Sequence, residues 1–369
     1  MIARLVAAVA VGAALLCSGT GTARADDLLC AGGSGCRVIM LSPSPIAAPD
    51  GSHPVGRVDT ALTAPDHSRS IMVSVWYPAT GADAPAAYIP AADPVTRTWI
   101  AFVSAEWLHT PVAAVAMADA PIGATEGTPV DTSLGRLPVV IVSPGLGTPR
   151  FILSGLAADL ASRGYVVVTI DHTGESPAVE FPSGRIAFGR ATRPDNAAYM
   201  RPRLADRLGD TRLALDRLPT LPVVGPLVDS GRIAMVGHSY GGLTAVQTMS
   251  RDPRVRAAVV LDGSAGWSGV AAAPALDRPV LLMSAGDTVH TSWSDFRDPR
   301  FEWASVAGAG HYFATDLPAL GGSAELCGTM PADRAATVTR GTVTEWLDRH
   351  LLDRDTPRPA HPELIWHSE

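Results

Sequence analysis

Ser239 lies between Gly237 and Gly241 in the stretch GRIAMVGHSYGG (231–242), directly after an apolar run. A serine hydroxyl becomes a nucleophile only when a neighbouring base takes its proton, and a glycine-flanked turn exposes it to attack a carbonyl. With 35 glycines in 369 residues the pattern alone is weak, so partners must support it. Among ten histidines, His311 in GAGHYFATD follows the last apolar run, with glycines that let its loop bend. The chain order serine, acid, histidine seen where the nucleophile sits on a strand-to-helix turn selects His311 over His172. His238, next to the serine, is expected to pack structurally, and His290, His350, His361 and His367 fall in loops or the C-terminal tail. Asp262 and Asp287 each end an apolar run after the serine. Either carboxylate could hold the imidazole tautomer, and the residues leave both open.

The tetrahedral intermediate of acyl transfer needs two donors aimed at its oxyanion. The amide of Tyr240, directly after the serine, is one candidate. The segment SPGLGTPR supplies the other, with Gly145 and Gly147 allowing the amide of Leu146 to face a pocket. Gly145 and Trp267, the latter in DGSAGWSG, are expected to border the substrate.

These residues must be delivered to one edge. LPVVIVS (137–143), GYVVVTID (164–171), GRIAMVG (231–237), VRAAVVLD (255–262), RPVLLMSAGD (278–287) and FEWASVAGAGH (301–311) are short apolar, β-branched runs separated by helical patterns. Such an alternation predicts a mostly parallel, doubly wound sheet with helices on both faces. Polar residues then collect at the carboxyl ends of its strands, where ligands bind in open α/β sheets. An antiparallel pair is expected ahead of it, in GRVDTALTAPD and SRSIMVSVWYPATG. The Ala- and Pro-rich stretch 80–130 reads as an inserted helical segment, buried packing or a cap over the site.

The N-terminus MIARLVAAVAVGAALLCSGTGTARA has the layout of a cleaved secretory signal over residues 1–25. An irregular arm is expected over 26–54, a single α/β domain carrying the 80–130 insertion over 55–355 and a tail over 356–369. No later run is long and apolar enough to span a bilayer, so an exported chain without stable membrane insertion is expected. Cys30, Cys36 and Cys327 would then meet an oxidising compartment; a local Cys30–Cys36 bridge and a bridge from the tail to Cys327 both remain open. Every basic residue is arginine, which excludes Schiff-base lysines and a Walker A lysine. The net charge of −7 leaves no basic footprint for nucleic acid. No HExxH or CxxC spacing occurs, so neither a metal nor an organic cofactor is expected. Oligomeric state is not readable.

From Gly56 to Leu352 the chain resembles the α/β-hydrolase superfamily, and more narrowly bacterial relatives of the platelet-activating factor acetylhydrolase and lipase group. The resemblance rests on VWYPA, PVVIVSPGLGTPRFILSGLAADLASRGYVVVTIDHTG, VGHSYGG, DPRVRAAVVLDGS and GAGHYFATDLPAL in this order. It implies an α/β-hydrolase fold and a serine esterase acting on an ester or lipid. It also tilts the acid toward Asp262, because acetylhydrolase-like members place their aspartate in the LDG segment, whereas Streptomyces-type lipases use the position matching Asp287. Pro144 departs from the mammalian pattern, which has histidine there. An acyltransferase with the same triad and a non-catalytic hydrolase-like binding protein are the competing readings.

Overall fold

The computed structural model describes residues 46–81, 83–110, 113–190, 194–267, 277–286, 291–293 and 300–367. The expected signal segment, Cys30, Cys36, Asp287 and His290 lie outside them. In chain order the elements are β1 (Val55–Thr63), β2 (Ser70–Pro78), β3 (Pro85–Ala87), α1 (Pro94–Trp107), α2 (Ala113–Asp119), β4 (Pro121–Glu126) and β5 (Leu137–Ser143). There follow α3 (Ser154–Ser162), β6 (Val166–Asp171), β7 (Ala178–Glu180), β8 (Ile186–Phe188), α4 (Ala197–Arg217), β9 (Val228–His238) and α5 (Tyr240–Met249). The chain continues through β10 (Val255–Leu261), β11 (Val280–Ala285), β12 (Phe301–Val306), α6 (Ala324–Cys327), α7 (Ala332–Leu351) and β13 (Leu364–Trp366).

Eleven of these strands form one sheet in the order β13-β12-β11-β10-β9-β5-β6-β2-β1-β4-β3. The stretch from β12 to β6 is parallel throughout, and β1 and β2 pair antiparallel beside it as the sequence suggests. Alternation along each strand divides the core between two faces. Val140, Val142, Ala234, Val236, Val259 and Leu261 share one cluster with Leu156 and Leu160 of α3 and Val338 and Trp346 of α7. Their neighbours Val139, Ile141, Ile233, Met235, Ala258 and Val260 share the other with Leu204 of α4 and Leu243 and Val246 of α5. Burial on both faces is why these strands read as continuous apolar runs.

The 80–130 insertion is more than helical. Asp93 caps α1 by accepting the Val95 and Thr96 amides, and Ile100, Ala101, Ala105 and Met117 are buried in the core cluster that also holds Phe151 and Leu156. Its two ends add β3 and β4 to the sheet, β4 running parallel to β1. The C-terminal tail adds a short strand as well. β13 pairs antiparallel with β12, and the Ala307 amide donates to Glu363 O, so the tail covers an edge whose peptide groups would otherwise stand open. At the other end, the expected arm is irregular through residues 46–54 but tethered: the Gly51 amide donates to Ser162 Oγ, and Arg340 donates to the carbonyls of Ala47 and Ala48.

Candidate active site

β9 delivers Ser239 at the carboxyl edge of the sheet. Ser239 adopts φ 54° and ψ −121°, a left-handed conformation that L-residues rarely hold. The turn is tight enough to dictate its glycines. A Cβ at Gly237 would lie 2.0 Å from Gly241 O, and one at Gly241 would lie 2.0 Å from Ser143 O. The strand can therefore turn into α5 only where side chains are missing.

β10 ends beside it. Asp262 also has a positive φ, 49°, and is 4 % exposed. Its Oδ1 accepts the Ala285 amide at 2.7 Å, and its Oδ2 accepts from His311 Nδ1 at 2.5 Å. His311 Nε2 in turn stands 2.9 Å from Ser239 Oγ. With Nδ1–H donated to the carboxylate, Nε2 carries the lone pair that can accept the serine proton. The His311 side chain is 41 % exposed, so the line opens to solvent at its reactive end. Its backbone is fixed from two sides, because the Gly310 amide donates to Cys327 O and the Tyr312 amide to Leu326 O. Cys327 is buried, and burial pushes its thiol pKa up to about 12; Cys30 and Cys36, with which the sequence leaves a bridge open, lie outside the described residues.

Sequence reasoning assigned His238 a packing role, and its surroundings give it more. Its Nε2–H donates to the His311 carbonyl at 2.8 Å, and its ring lies against those of His311 and Tyr312. Burial, reinforced by repulsion from His311, pushes its pKa down to about 3. A folded chain with a neutral His238 binds fewer protons than an unfolded one from about pH 6.5 down to about pH 3, so stability falls as pH drops through that window. The limiting slope from one such group is about 1.4 kcal/mol per pH unit. Thermal midpoints measured from pH 7 to pH 4 should decline less steeply in His238→Gln than in the parent, and equal slopes would count against a neutral His238.

The SPGLGTPR loop reaches the serine from β5. An ideal Cβ on Gly145 would sit 3.3 Å from Ser239 Cβ and 3.0 Å from His238 Nδ1. Leu146 is half-buried and Gly147 takes φ 69°, which bends the loop. Tyr240 opens α5, its hydroxyl donating to Met200 O. Trp267 is exposed, with its indole N–H on Asp195 Oδ1 at 2.7 Å. Asp287, the other candidate acid, lies outside the described residues.

Sequence reasoning missed a second line. Ser143 Oγ stands 2.9 Å from His172 Nε2, and His172 Nδ1 stands 3.0 Å from Asp210 Oδ2, which also accepts from Arg69. All three residues are buried, and burial lowers the His172 pKa. The chain order that set His172 aside also hid this structural role.

A family profile described as platelet-activating factor acetylhydrolase, isoform II, matches residues 39–183 and 224–293, more than half of the chain. The chain belongs to this family. Within and around the acetylhydrolase family, a probable 1-alkyl-2-acetylglycerophosphocholine esterase of Arthroderma benhamiae is 29 % identical over 265 residues, 62 % of this chain and 66 % of the relative. A bis(hydroxyethyl) terephthalate hydrolase of Streptomyces coelicolor is 29 % identical over 168 residues, 45 % of each chain. The chain thus spans just under two thirds of the fungal relative's length and less than half of the Streptomyces one. The solved structure of a ferulic acid esterase from Streptomyces cinnamoneus superposes with a TM-score of 0.70 at 34 % identity, covering 88 % of this chain and all of that one. The mostly parallel sheet and this superposition make the fold that of an α/β-hydrolase.

Proposed function

We propose that this acetylhydrolase-family protein is an exported serine hydrolase that cleaves carboxylic esters through Ser239, His311 and Asp262. The observation that carries the reading is the unbroken Asp262–His311–Ser239 hydrogen-bond line ending on a strained, glycine-framed turn. His311 takes the Ser239 proton as Oγ attacks the ester carbonyl, and Asp262 stabilises the imidazolium that forms. The amides of Leu146 and Tyr240 hold the oxyanion. His311 then returns the proton to the departing alcohol, and a water activated by the same imidazole releases the acyl group. No step calls for a cofactor.

The relatives' names include an acetyl glycerophospholipid esterase, a terephthalate ester hydrolase and a ferulic acid esterase. All three substrates present a carboxylic ester carbonyl to a nucleophile, which favours ester hydrolysis over any one alcohol or acid. The insertion over 80–130 and Trp267 are the elements we propose to border the acyl group, favouring a short or moderate chain.

Hydrolysis of p-nitrophenyl esters from C2 to C16 tests the reading, with and without an added alcohol. Turnover highest on short or medium chains, with free acid as the main product, is expected. Predominant transesterification at low alcohol concentration would make the protein an acyltransferase, and no labelling by a fluorophosphonate probe would make it a binding protein.

A further inference from the structure

Arg207, on α4, has a fully buried side chain that points at the loop after β5 rather than at solvent. Its Nη1 donates to Pro144 O at 2.7 Å and its Nη2 to Gly145 O at 2.9 Å. Nε and Nη2 fork onto Glu175 Oε2 at 2.9 and 2.8 Å, and Nη1 reaches Ser143 Oγ at 3.3 Å. The guanidinium carbon lies 5.3 Å from the centre of the Tyr240 ring. One cation therefore touches the last residue of β5, the two carbonyls that follow it and the residue after Ser239.

Burying an arginine beside backbone carbonyls is costly unless its donors are used, and a planar fork suits two carbonyls and a carboxylate together. In a trans peptide the C=O and the next N–H lie in one plane and point in opposite directions, and no described peptide bond is cis. Clamping Pro144 O and Gly145 O on the Arg207 side therefore sends the amides of Gly145 and Leu146 to the other side. Thr148 adds to the clamp, donating to Gly145 O from its amide at 3.1 Å and its hydroxyl at 2.8 Å.

We infer that Arg207 is a positioning residue for the oxyanion loop: by holding the carbonyls of Pro144 and Gly145 it aims the Leu146 amide at the oxygen of a carbonyl attacked by Ser239. The inference rests on the reading of Ser239 as the nucleophile. Arg207 never meets the substrate, so its contribution falls on the transition state and not on ground-state binding.

Arg207→Lys and the double variant Arg207→Met/Glu175→Gln test this. Lysine keeps a charge beside Glu175 but cannot fork across two carbonyls, and the double change leaves no unpaired carboxylate behind. Circular dichroism first establishes which variants fold; if the double variant does not, Arg207→Lys carries the test. On p-nitrophenyl acetate, kcat should fall about 100-fold in each folded variant, the loss expected when one oxyanion donor is misaimed, with KM within about 3-fold of the parent. A trifluoromethyl ketone, whose adduct with Ser239 carries the oxyanion, should lose affinity by a similar factor. Amide hydrogen exchange over 145–148 should quicken. A folded variant with near-parental kcat and unchanged exchange at 145–148, or one that raises KM alone, overturns the inference. If the parent protein neither turns over esters nor binds the ketone, the proposed activity falls, and the exchange measurement alone decides whether Arg207 positions the loop.

Discussion

Replacing Ser239 by alanine is expected to lower kcat/KM on a p-nitrophenyl ester by up to about a million-fold and to abolish labelling by a fluorophosphonate. The magnitude follows from the proposed role of Ser239 Oγ in forming the acyl-enzyme, since nucleophile removal in a serine hydrolase costs about 10⁶ in kcat. The oxyanion donors would still leave a residue of catalysis over water. The same position carries a structural prediction that separates chemistry from folding. Because Ser239 holds φ 54° and ψ −121°, its backbone stores about 1–3 kcal/mol of strain that glycine would not feel. Ser239→Gly should therefore be inactive yet melt higher than Ser239→Ala. An alanine variant retaining more than roughly one per cent of parental activity would contradict the nucleophile assignment, since the expected loss is far larger. Equal melting temperatures for the two variants would contradict the strain.

Asp262→Asn should lower kcat by about 10⁴ while leaving the fold intact. The Ala285 amide donates to Asp262 Oδ1, so an asparagine would keep its carbonyl oxygen there and present its NH₂ to His311 Nδ1. Nδ1 must then become the acceptor, and the ring proton moves to Nε2, which faces Ser239 Oγ. A protonated Nε2 cannot act as the base. Asp287→Asn, made in parallel, should stay within a few-fold of the parent. Stopped assays on matched protein decide between them, and a collapse confined to Asp287→Asn would move the acid to Asp287.

The parallel strands were legible because burial on both faces leaves an unmistakable apolar run, and Gly237 and Gly241 were legible because the elbow tolerates nothing larger. Ser239 and His311 could be paired by order alone. Asp262 could not be separated from Asp287 on the same basis, since both end neighbouring apolar runs and either carboxylate could serve the same imidazole. β3, β4 and β13 were hidden for a different reason. They are short edge segments, Pro85–Ala87 and Pro121–Glu126 among Ala and Pro, and Leu364–Trp366 near the chain's end, whose pairing is set by the strand beside them and not by their own pattern. Arg207, His172 and Asp210 come from a loop and a helix face where each looks like an ordinary polar residue. Their convergence on the SPGLGTPR loop exists only in three dimensions.

Ser143, His172 and Asp210 repeat the serine–imidazole–carboxylate connectivity of the Ser239–His311–Asp262 line within one molecule, yet the two serines sit in different surroundings. Ser143 ends a regular strand, wholly buried, and its oxygen is already engaged by Arg207. Ser239 sits on a left-handed turn, next to an imidazole that solvent reaches. If Ser239 is the nucleophile proposed here, the buried line is its internal control: the same three side-chain types stand in both, and what sets Ser239 apart is the backbone that lifts its hydroxyl out of the sheet.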